Sequence, residues 1–287
     1  MHHVLVATDL TSKSAAAVER GCALAVATCA SLHLLHVRGH GGHRSASEQL
    51  AAIGRDVAAQ NPCIAQVTHL VRTGRVAQAI RQAADDVAAD IVVVGGHGGA
   101  RLIDELFPTT AERLTRALKP PLLVVRNSVT GGYRRVLAAV ERGAAAREVL
   151  KLACMITSAD RVFAVHAFMP SVFDLMRDGG DQARATAQHE LEQIILETLG
   201  ARCDLAMHIE PVVLAGEAVS VVLQAWSAYK PDLLALATHG RTGFALGLHG
   251  SFTDVMIEND SFDLLIHHVP ADEDTKDLEN EVVRHAV

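Results

Sequence analysis

The chain has 287 residues, long enough for two domains of ordinary size, and 49% of them are hydrophobic although only 3% are aromatic. The formal net charge of -7 and the lack of any basic stripe exclude an ordinary nucleic-acid-binding surface. The five cysteines form no CxxC pair and no metal-ligand spacing, which indicates reduced thiols in a cytoplasmic protein. No apolar stretch approaches the roughly 20 residues that span a bilayer, and the first residues enter a strand-like run at once. We therefore expect neither a membrane segment nor a secretory signal.

Taken in chain order, the first part of the sequence alternates short apolar runs with amphipathic, Ala-rich stretches. The apolar runs predict strands and the Ala-rich stretches predict helices. Alternating strands and helices are typical of right-handed βαβ crossovers and a parallel sheet. Strands are expected at Val4–Asp9, Leu34–Val37, Val71–Gly74, Asp90–Val94 and Pro121–Val125, and helices at Ser14–Thr28, Ala46–Gln60, Val76–Ala89 and Thr110–Lys119.

The same series of strands then returns once. Val4–Asp9 is matched by Val136–Glu141 at an offset of 132 residues, and Asp90–Val94 by Asp232–Leu236 at an offset of 142. The second copy therefore holds about a dozen extra residues, which we place at Met169–Gly180 because Pro and Gly mark irregular chain there. The apolar side chains of this segment favour a mobile lid or a partner-binding loop. The alternative is a segment that packs back on its own domain.

The repeat predicts domains at residues 1–128 and 133–270, followed by an acidic tail at 271–287 that we interpret as a solvated extension. The predicted fold class is α/β, with two tandem, doubly wound, five-stranded parallel sheets of Rossmann-like type. In such a sheet the first strand lies in the middle, and a ligand binds at the carboxyl ends of the first and fourth strands, where the winding reverses. Unusual residues follow those two strands in each copy: Asp9 and Gly95–Gly99 in the first, Glu141 and Thr238–Gly243 in the second.

The fourth strand of each copy runs into glycines with a recurring spacing. The second copy reads Ala237-Thr238-His239-Gly240 and, after nine residues, Gly250-Ser251. The first copy reads Gly95-Gly96-His97-Gly98 and, after nine residues, Pro108-Thr109. An acid follows the first strand, a His lies near the end of the second, and a Gly follows the third. Together these features resemble the nucleotide motif of the universal stress protein family, over nearly the whole chain; the acid, His and Gly are Asp9, His36 and Gly74 in the first copy, and Glu141, His166 and Gly216 in the second.

The resemblance implies a tandem stress protein with a fold like that of the adenine nucleotide α-hydrolases. Such a protein binds ATP together with Mg²⁺ and regulates an unknown protein partner in the stress response, without being an enzyme. The residues expected to contact the nucleotide are Glu141, Ala167, Ala237, Thr238, His239, Gly240, Gly250, Ser251, Phe252 and Thr253 in the second copy, and Asp9, Gly95, Gly98 and Thr109 in the first.

The resemblance also implies how the two copies meet. Single-domain members of the family commonly dimerise through their last strand. We therefore expect the strand near Leu122–Val125 to lie beside that near Leu264–His267, as an intramolecular dimer with a pseudo-two-fold axis that covers two sheet edges. Further pairing of two chains into a homodimer stays open.

Each copy departs from the motif in its own way. In the first copy Pro108 has no backbone N–H, and the loss of one hydrogen bond to a charged group costs roughly 1.5–3 kcal/mol. The second copy has Ala237 for the first Gly and Glu141 for the Asp. The defect at Pro108 lies at the phosphate end of the first pocket, and the phosphates carry most of the charge of ATP. We expect this defect to weaken binding more than the longer carboxylate of Glu141 does, so we predict that the second pocket binds the nucleotide. The alternative is that the glycines only form tight turns and Ser251 only caps a helix.

Two other functions stay open. A scaffold whose pockets have both decayed would work through protein contacts alone. A slow nucleotide hydrolase is the third candidate, although the sequence has no P-loop and no G-x-S-x-G motif. The sixteen histidines show no metal-binding spacing, and we interpret His36 and His166 as side chains bound to the backbone rather than as ligands.

Overall fold

The structure, a computed structural model, describes residues 1–38, 45–96, 114–115, 117–127, 131–141, 143–200, 208–239 and 252–269. The strands of the first half are β1 (His3–Ala7), β2 (Ser31–Arg38), β3 (Val67–Thr73), β4 (Ile91–Gly95) and β5 (Leu122–Val125). Those of the second half are β6 (Tyr133–Ala139), β7 (Thr157–Phe168), β8 (His208–Ala215), β9 (Leu233–His239) and β10 (Asp263–Val269). The helices are α1 (Ala15–Thr28), α2 (Ser45–Gln60), α3 (Val76–Asp86), α4 (Ala144–Ile156), α5 (Val172–Asp178), α6 (Asp181–Leu199), α7 (Ala218–Tyr229) and α8 (Phe252–Glu258).

The order of the strands confirms the predicted fold class. All ten form one sheet in the order β3-β2-β1-β4-β5-β10-β9-β6-β7-β8. The first strand of each half, β1 or β6, lies in the middle of that half, and every pair within a half is parallel. Each half is therefore a doubly wound, five-stranded parallel sheet.

Three helix bounds differ from the prediction in the first half. The second helix, α2, begins at Ser45 and not at Ala46. A short 3₁₀ turn at Ser12–Ser14 precedes α1, which begins at Ala15. The third helix ends at Asp86 and not at Ala89, because Ala88 takes a left-handed conformation with φ of 49° that a helix cannot continue. Of the helix predicted at Thr110–Lys119, only residues 114, 115 and 117 are described as helical.

Helices cover both faces of the sheet, which explains the continuous apolar runs of its central strands. In β1, Val4 and Val6 pack in the layer formed with α1, α2, α4 and α6, whereas Leu5 and Ala7 pack in the layer formed with α3, α7 and α8. All four side chains are almost completely buried. The alternation of strand side chains thus fills two cores at once.

The halves meet where β5 and β10 pair antiparallel, as predicted. Leu265 lies opposite Leu123, which is its own counterpart in the repeat at the offset of 142 residues. The pseudo-two-fold axis therefore passes between these two residues. The pairing removes two exposed edges, so that the described edge strands of the sheet are β3 and β8.

A buried carboxylate fixes this junction. Asp263, at the start of β10, is 1% exposed, and its Oδ1 accepts hydrogen bonds from the backbone N–H of Arg126 (2.8 Å) and of Asn127 (2.9 Å). Its Oδ2 accepts the Tyr133 hydroxyl at 2.6 Å. The Arg20 guanidinium of α1 lies 3.7 Å from the centre of the Tyr133 ring and 3.9 Å from the carboxylate. Burial, together with the charge of Asp263, holds the pKa of Tyr133 well above its usual value, so the phenol stays a hydrogen-bond donor.

The extra residues of the second half form the helix α5, so the prediction of irregular chain is wrong. The Ser171 hydroxyl accepts a hydrogen bond from the Asp174 N–H at 3.1 Å, and the Asp174 carboxylate accepts one from the Ser171 N–H at 3.0 Å. This reciprocal capping box satisfies two N–H groups that a helix start leaves open. Gly179, in a left-handed conformation with φ of 69°, ends the helix. None of the α5 residues is buried.

The junction network predicts a large loss of stability for Asp263→Ala. The substitution leaves the buried Tyr133 hydroxyl and the Arg20 guanidinium without their carboxylate, so we expect the free energy of unfolding to fall by about 3 kcal/mol or more. Urea denaturation measures the change. Asp86→Ala is the control, because Asp86 forms an exposed ion pair with Arg72 and should cost less than about 1 kcal/mol. Equal losses in the two variants would contradict the anchoring role.

The exposed position of α5 predicts that both halves fold without it. Replacing residues 170–178 by a short Gly-Ser linker removes no buried side chain of the helix, so we expect cooperative thermal unfolding and unchanged strand content. Circular dichroism checks both. Loss of the cooperative transition would show that the segment belongs to the core.

Candidate functional site

A cavity of about 780 Å³ opens at the carboxyl ends of β6, β7 and β9 in the second half. The strands on either side of β6 are β9 and β7, so the cavity lies where the winding of the sheet reverses. Its wall is formed by strand ends and by four helices. The lining residues are Ala139, Val140, Glu141, Val165, His166, Ala167, Phe168, Met169, Leu236 and Ala237 at the strand ends, Asp174 and Arg177 of α5, Gln182, Ala183, Thr186 and Ala187 of α6, Ala218 and Val222 of α7, and Phe252 of α8.

Four of the residues predicted to contact a nucleotide line this cavity: Glu141, Ala167, Ala237 and Phe252. Thr253 follows Phe252 on α8 and is not part of the lining. Two predicted contacts, Thr238 and His239, continue β9, but their side chains lie outside the described part of the chain, as do Gly240, Gly250 and Ser251. In the first half Asp9 follows β1 and Gly95 ends β4, whereas Gly98 and Thr109 are outside the described residues.

Glu141 places a carboxyl group in the floor of the cavity, just beyond the end of β6. Burial raises the pKa of this group above its ordinary value. No hydrogen bond from a described residue reaches the carboxylate. Its oxygens are therefore disposed to accept hydrogen bonds from a bound molecule.

The corresponding acid of the first half is held differently. The Asp9 Oδ1 accepts hydrogen bonds from the Thr11 N–H at 2.9 Å and the Thr11 hydroxyl at 2.7 Å. Burial raises the pKa of Asp9, but the hydrogen bonds from Ser14 and Thr11 outweigh it, and the pKa lies below its ordinary value. The ionised form of Asp9 is thus stabilised by hydrogen bonds from its own turn, whereas the ionised form of Glu141 is destabilised by burial.

The two histidines expected to bind the backbone do so. His36 Nδ1 lies 2.9 Å from the Thr8 carbonyl oxygen, and His166 Nδ1 lies 2.8 Å from that of Val140. A carbonyl oxygen can only accept, so Nδ1 carries the proton and Nε2 of the neutral ring is an acceptor. His166 lines the cavity, and its ring adds a second acceptor beside Glu141.

Sequence reasoning missed the polar residues that α5 and α6 contribute to the wall. They are Asp174, Arg177, Gln182 and Thr186. The insertion follows directly on β7, and a segment that leaves the carboxyl end of a parallel strand begins at the ligand-binding edge of the sheet. That position was the signal from which these residues could have been found.

The helix α5 has its polar side toward the cavity and its apolar side toward solvent. Asp174 and Arg177 line the cavity, whereas Val172, Phe173 and Met176 are 74%, 69% and 83% exposed. Amphipathic helices of globular proteins usually show the opposite arrangement. The outward face of α5 is therefore an apolar surface that the described residues do not cover.

Metal and membrane features are absent from the part of the chain that the structure describes. No group of three or more His, Cys, Asp or Glu side chains there is placed to hold a metal ion. Among the described helices, none is both long and apolar enough to cross a membrane.

Comparison with known proteins reproduces both the fold and the repeat. The universal stress protein family matches residues 1–126 and 132–268 of this chain. A candidate universal stress protein from Pseudomonas aeruginosa UCBPP-PA14 is 16% identical, with a TM-score of 0.67, and the match covers 93% of this chain and 93% of that one. A universal stress protein from Archaeoglobus fulgidus DSM 4304 is 14% identical, with a TM-score of 0.61, over 93% of this chain and 96% of that one.

A further solved structure is a universal stress protein in complex with cAMP. It is 22% identical and covers 44% of this chain and 98% of its own length, with a TM-score of 0.35. No curated protein matches the chain. The two matches over nearly the whole chain, at identities of 14% and 16%, show the fold alone.

Folding raises the pKa of Glu141 and lowers that of Asp9. We therefore expect replacement of these two acids by their amides to change the free energy of unfolding in opposite directions. A carboxyl group whose pKa is raised by folding opposes folding once it ionises, so Glu141→Gln should stabilise the protein at pH 7. That gain should vanish below the ordinary pKa of 4.5, where Glu141 is protonated in both the folded and unfolded states. Urea denaturation of both proteins at pH 7 and pH 4 checks this.

Asp9→Asn is the matched control. Because folding lowers the pKa of Asp9, its ionised form stabilises the protein above the ordinary value of 3.8, and this contribution is lost as the pH falls through the folded pKa. The substitution should therefore destabilise the protein at pH 7. A loss of stability in Glu141→Gln at pH 7 as well would show that Glu141 has a stabilising partner.

Proposed function

Because the chain belongs to the universal stress protein family, with one copy of the family's domain matched in each half, we propose that it is a cytoplasmic regulatory protein whose second half binds an adenine nucleotide, ATP with Mg²⁺. The observation that carries this proposal is the cavity at the reversal of strand order in that half. Ligands of open α/β sheets bind in the crevice outside the carboxyl ends of the strands at that place. The volume of about 780 Å³ lies within the range of small-molecule sites.

The groups around the cavity fit the uncharged part of such a ligand. The Glu141 carboxylate and Nε2 of His166 are acceptors, which suits the hydroxyls of a ribose and the amino group of a base. Apolar side chains, among them Val165, Val222 and Leu236, supply the remaining wall.

The phosphate end is proposed at the opening between β9 and α8. Phe252, the first residue of α8, lines the cavity, so the start of this helix and the end of β9 face the same space. The chain between them carries Gly240, Gly250 and Ser251, the residues of the glycine spacing. Glycines allow a backbone to approach a phosphate closely, and free N–H groups favour an anion.

We propose binding without turnover. The described wall of the cavity contains no Ser or Cys side chain, and its one hydroxyl group is that of Thr186 on α6. If the nucleotide is bound but not hydrolysed, the occupied fraction of the protein follows the nucleotide concentration. The protein would then act as a nucleotide sensor.

A scaffold role is the second candidate, and the outward face of α5 favours it. Four apolar side chains of α5 are exposed, and such clusters mark protein contacts. They are Val172, Phe173, Leu175 and Met176. The scaffold role predicts that protein purified without added ligand carries no nucleotide and shows no thermal shift with ATP.

Nucleotide binding predicts the opposite result in both measurements. We expect mass spectrometry of the purified, denatured protein to detect an adenine nucleotide. We also expect saturating ATP with Mg²⁺ to raise the melting temperature, since ligand at 100 times its dissociation constant stabilises a protein by about 2.7 kcal/mol.

Two substitutions then locate the site. Gly250→Pro should abolish the shift, whereas Pro108→Gly should leave it unchanged or add weak binding in the first half.

A particular outcome would reverse the assignment of the pocket. If Gly250→Pro retains the full shift while Asp9→Ala loses it, the nucleotide binds in the first half.

A further inference from the structure

The helix inserted in the second half, α5, brings a guanidinium group to the rim of the cavity. Arg177 and Asp174 lie one turn apart on the inner side of this helix, and both line the cavity. The first half has no counterpart of the inserted residues in its sequence. Whatever α5 contributes to binding is therefore particular to the second site.

The charge of Arg177 is already neutralised within α5. Its Nη2 lies 3.5 Å from Asp174 Oδ1, and its Nε donates a hydrogen bond to Asp178 Oδ2 at 3.0 Å. The hydroxyl and N–H of Ser171 hold the pKa of Asp174 below its usual value. Burial raises the pKa of Asp178, but hydrogen bonds from Arg177 and Gly180 outweigh it. Both carboxylates are ionised at neutral pH, so this rim carries two negative charges against one positive.

Such a rim disfavours phosphates. A phosphate that approached Arg177 would also approach Asp174 and Asp178, and the Glu141 carboxyl lies in the floor of the same cavity. The Arg177 guanidinium lies over the Phe173 ring, 5.8 Å from its centre, and its other flat face can stack on a second aromatic ring. A purine base offers such a ring.

The position of α5 agrees with a cavity that holds the base beside α5 and the phosphates at the opposite side. The helix follows β7, whereas the glycine-bearing chain leaves β9, and β6 lies between these two strands. Neighbouring strands are about 4.8 Å apart, so the ends of β7 and β9 are separated by roughly 10 Å. A nucleotide that spans the cavity has one end at each rim.

We propose that α5 covers the nucleoside end of the ligand, with the flat face of the Arg177 guanidinium against the base and the phosphates pointing toward β9 and α8. Asp174 and Asp178 are positioning residues that hold Arg177 in place and keep anions away from this rim. The inference rests on the proposed function, because it concerns the orientation of the nucleotide in that cavity.

Calorimetric titration with adenosine, AMP, ADP and ATP tests the orientation. We expect Arg177→Gln to weaken all four ligands by the same factor, about fivefold, because it removes a contact to the part that they share. Arg177→Lys keeps the charge without the flat face and should weaken them equally. The control is Arg147→Gln, an exposed residue of α4 that pairs with Glu197 away from the cavity and should change nothing. Because α5 buries no residue, these variants are expected to fold, which their melting temperatures check.

The possible outcomes separate this inference from the proposed function. A loss that grows with the number of phosphates and is rescued by Lys would overturn the inference, since Arg177 would then bind phosphate. Unchanged affinities in Arg177→Gln would overturn it as well, while leaving nucleotide binding intact. If the wild-type protein binds none of the four ligands, the proposed function fails and the inference fails with it.

Discussion

The Asp263 carboxylate and the antiparallel pairing that it anchors determine the geometry of the whole molecule. The pairing of β10 with β5 joins two parallel half-sheets, and Asp263 ties the start of β10 to the chain that leaves β5. Because the strands of the two halves run in opposite directions, their carboxyl edges face opposite ends of the sheet. The carboxyl edges of the two halves therefore cannot share one ligand, and the residues at each edge can differ independently. The anchor itself belongs to one half only, since the corresponding residue of the other half is Pro121.

The two halves differ in how the acid after their first strand is held. In the first, Asp9 is satisfied by Thr11 and the backbone of its own turn. In the second, Glu141 is destabilised in the floor of a cavity, and an inserted helix closes one side of that cavity. Groups that are costly for folding are typical of binding sites, where a ligand supplies the missing partner. This difference between the acids supports the choice of the second pocket independently of the glycine spacing.

Much of this fold could be predicted because the repeat doubles every signal. The pattern and the resemblance predicted the strand series, the central position of the first strand, the pairing of the last strands, and the hydrogen bonds of His36 and His166 to the backbone.

The helix α5 was missed although its boundaries are visible in the sequence. Pro170 precedes the cap Ser171, Asp174 completes the capping box, and Gly179 ends the helix, so the residues taken as breakers are ordinary start and stop signals. The Asp263 network joins side chains that lie far apart in the sequence, and no local pattern predicts such a convergence. The domain limits at 128 and 133 stay a prediction.

Hydrogen–deuterium exchange with and without saturating ATP tests whether the second half holds the nucleotide. Backbone amides report local opening, and a ligand slows exchange where it closes the structure. We expect slower exchange at the carboxyl ends of β6, β7 and β9 and in α5, with the ends of β1 and β4 unchanged. Protection confined to the end of β1 around Asp9, with the second half unaffected, would contradict it.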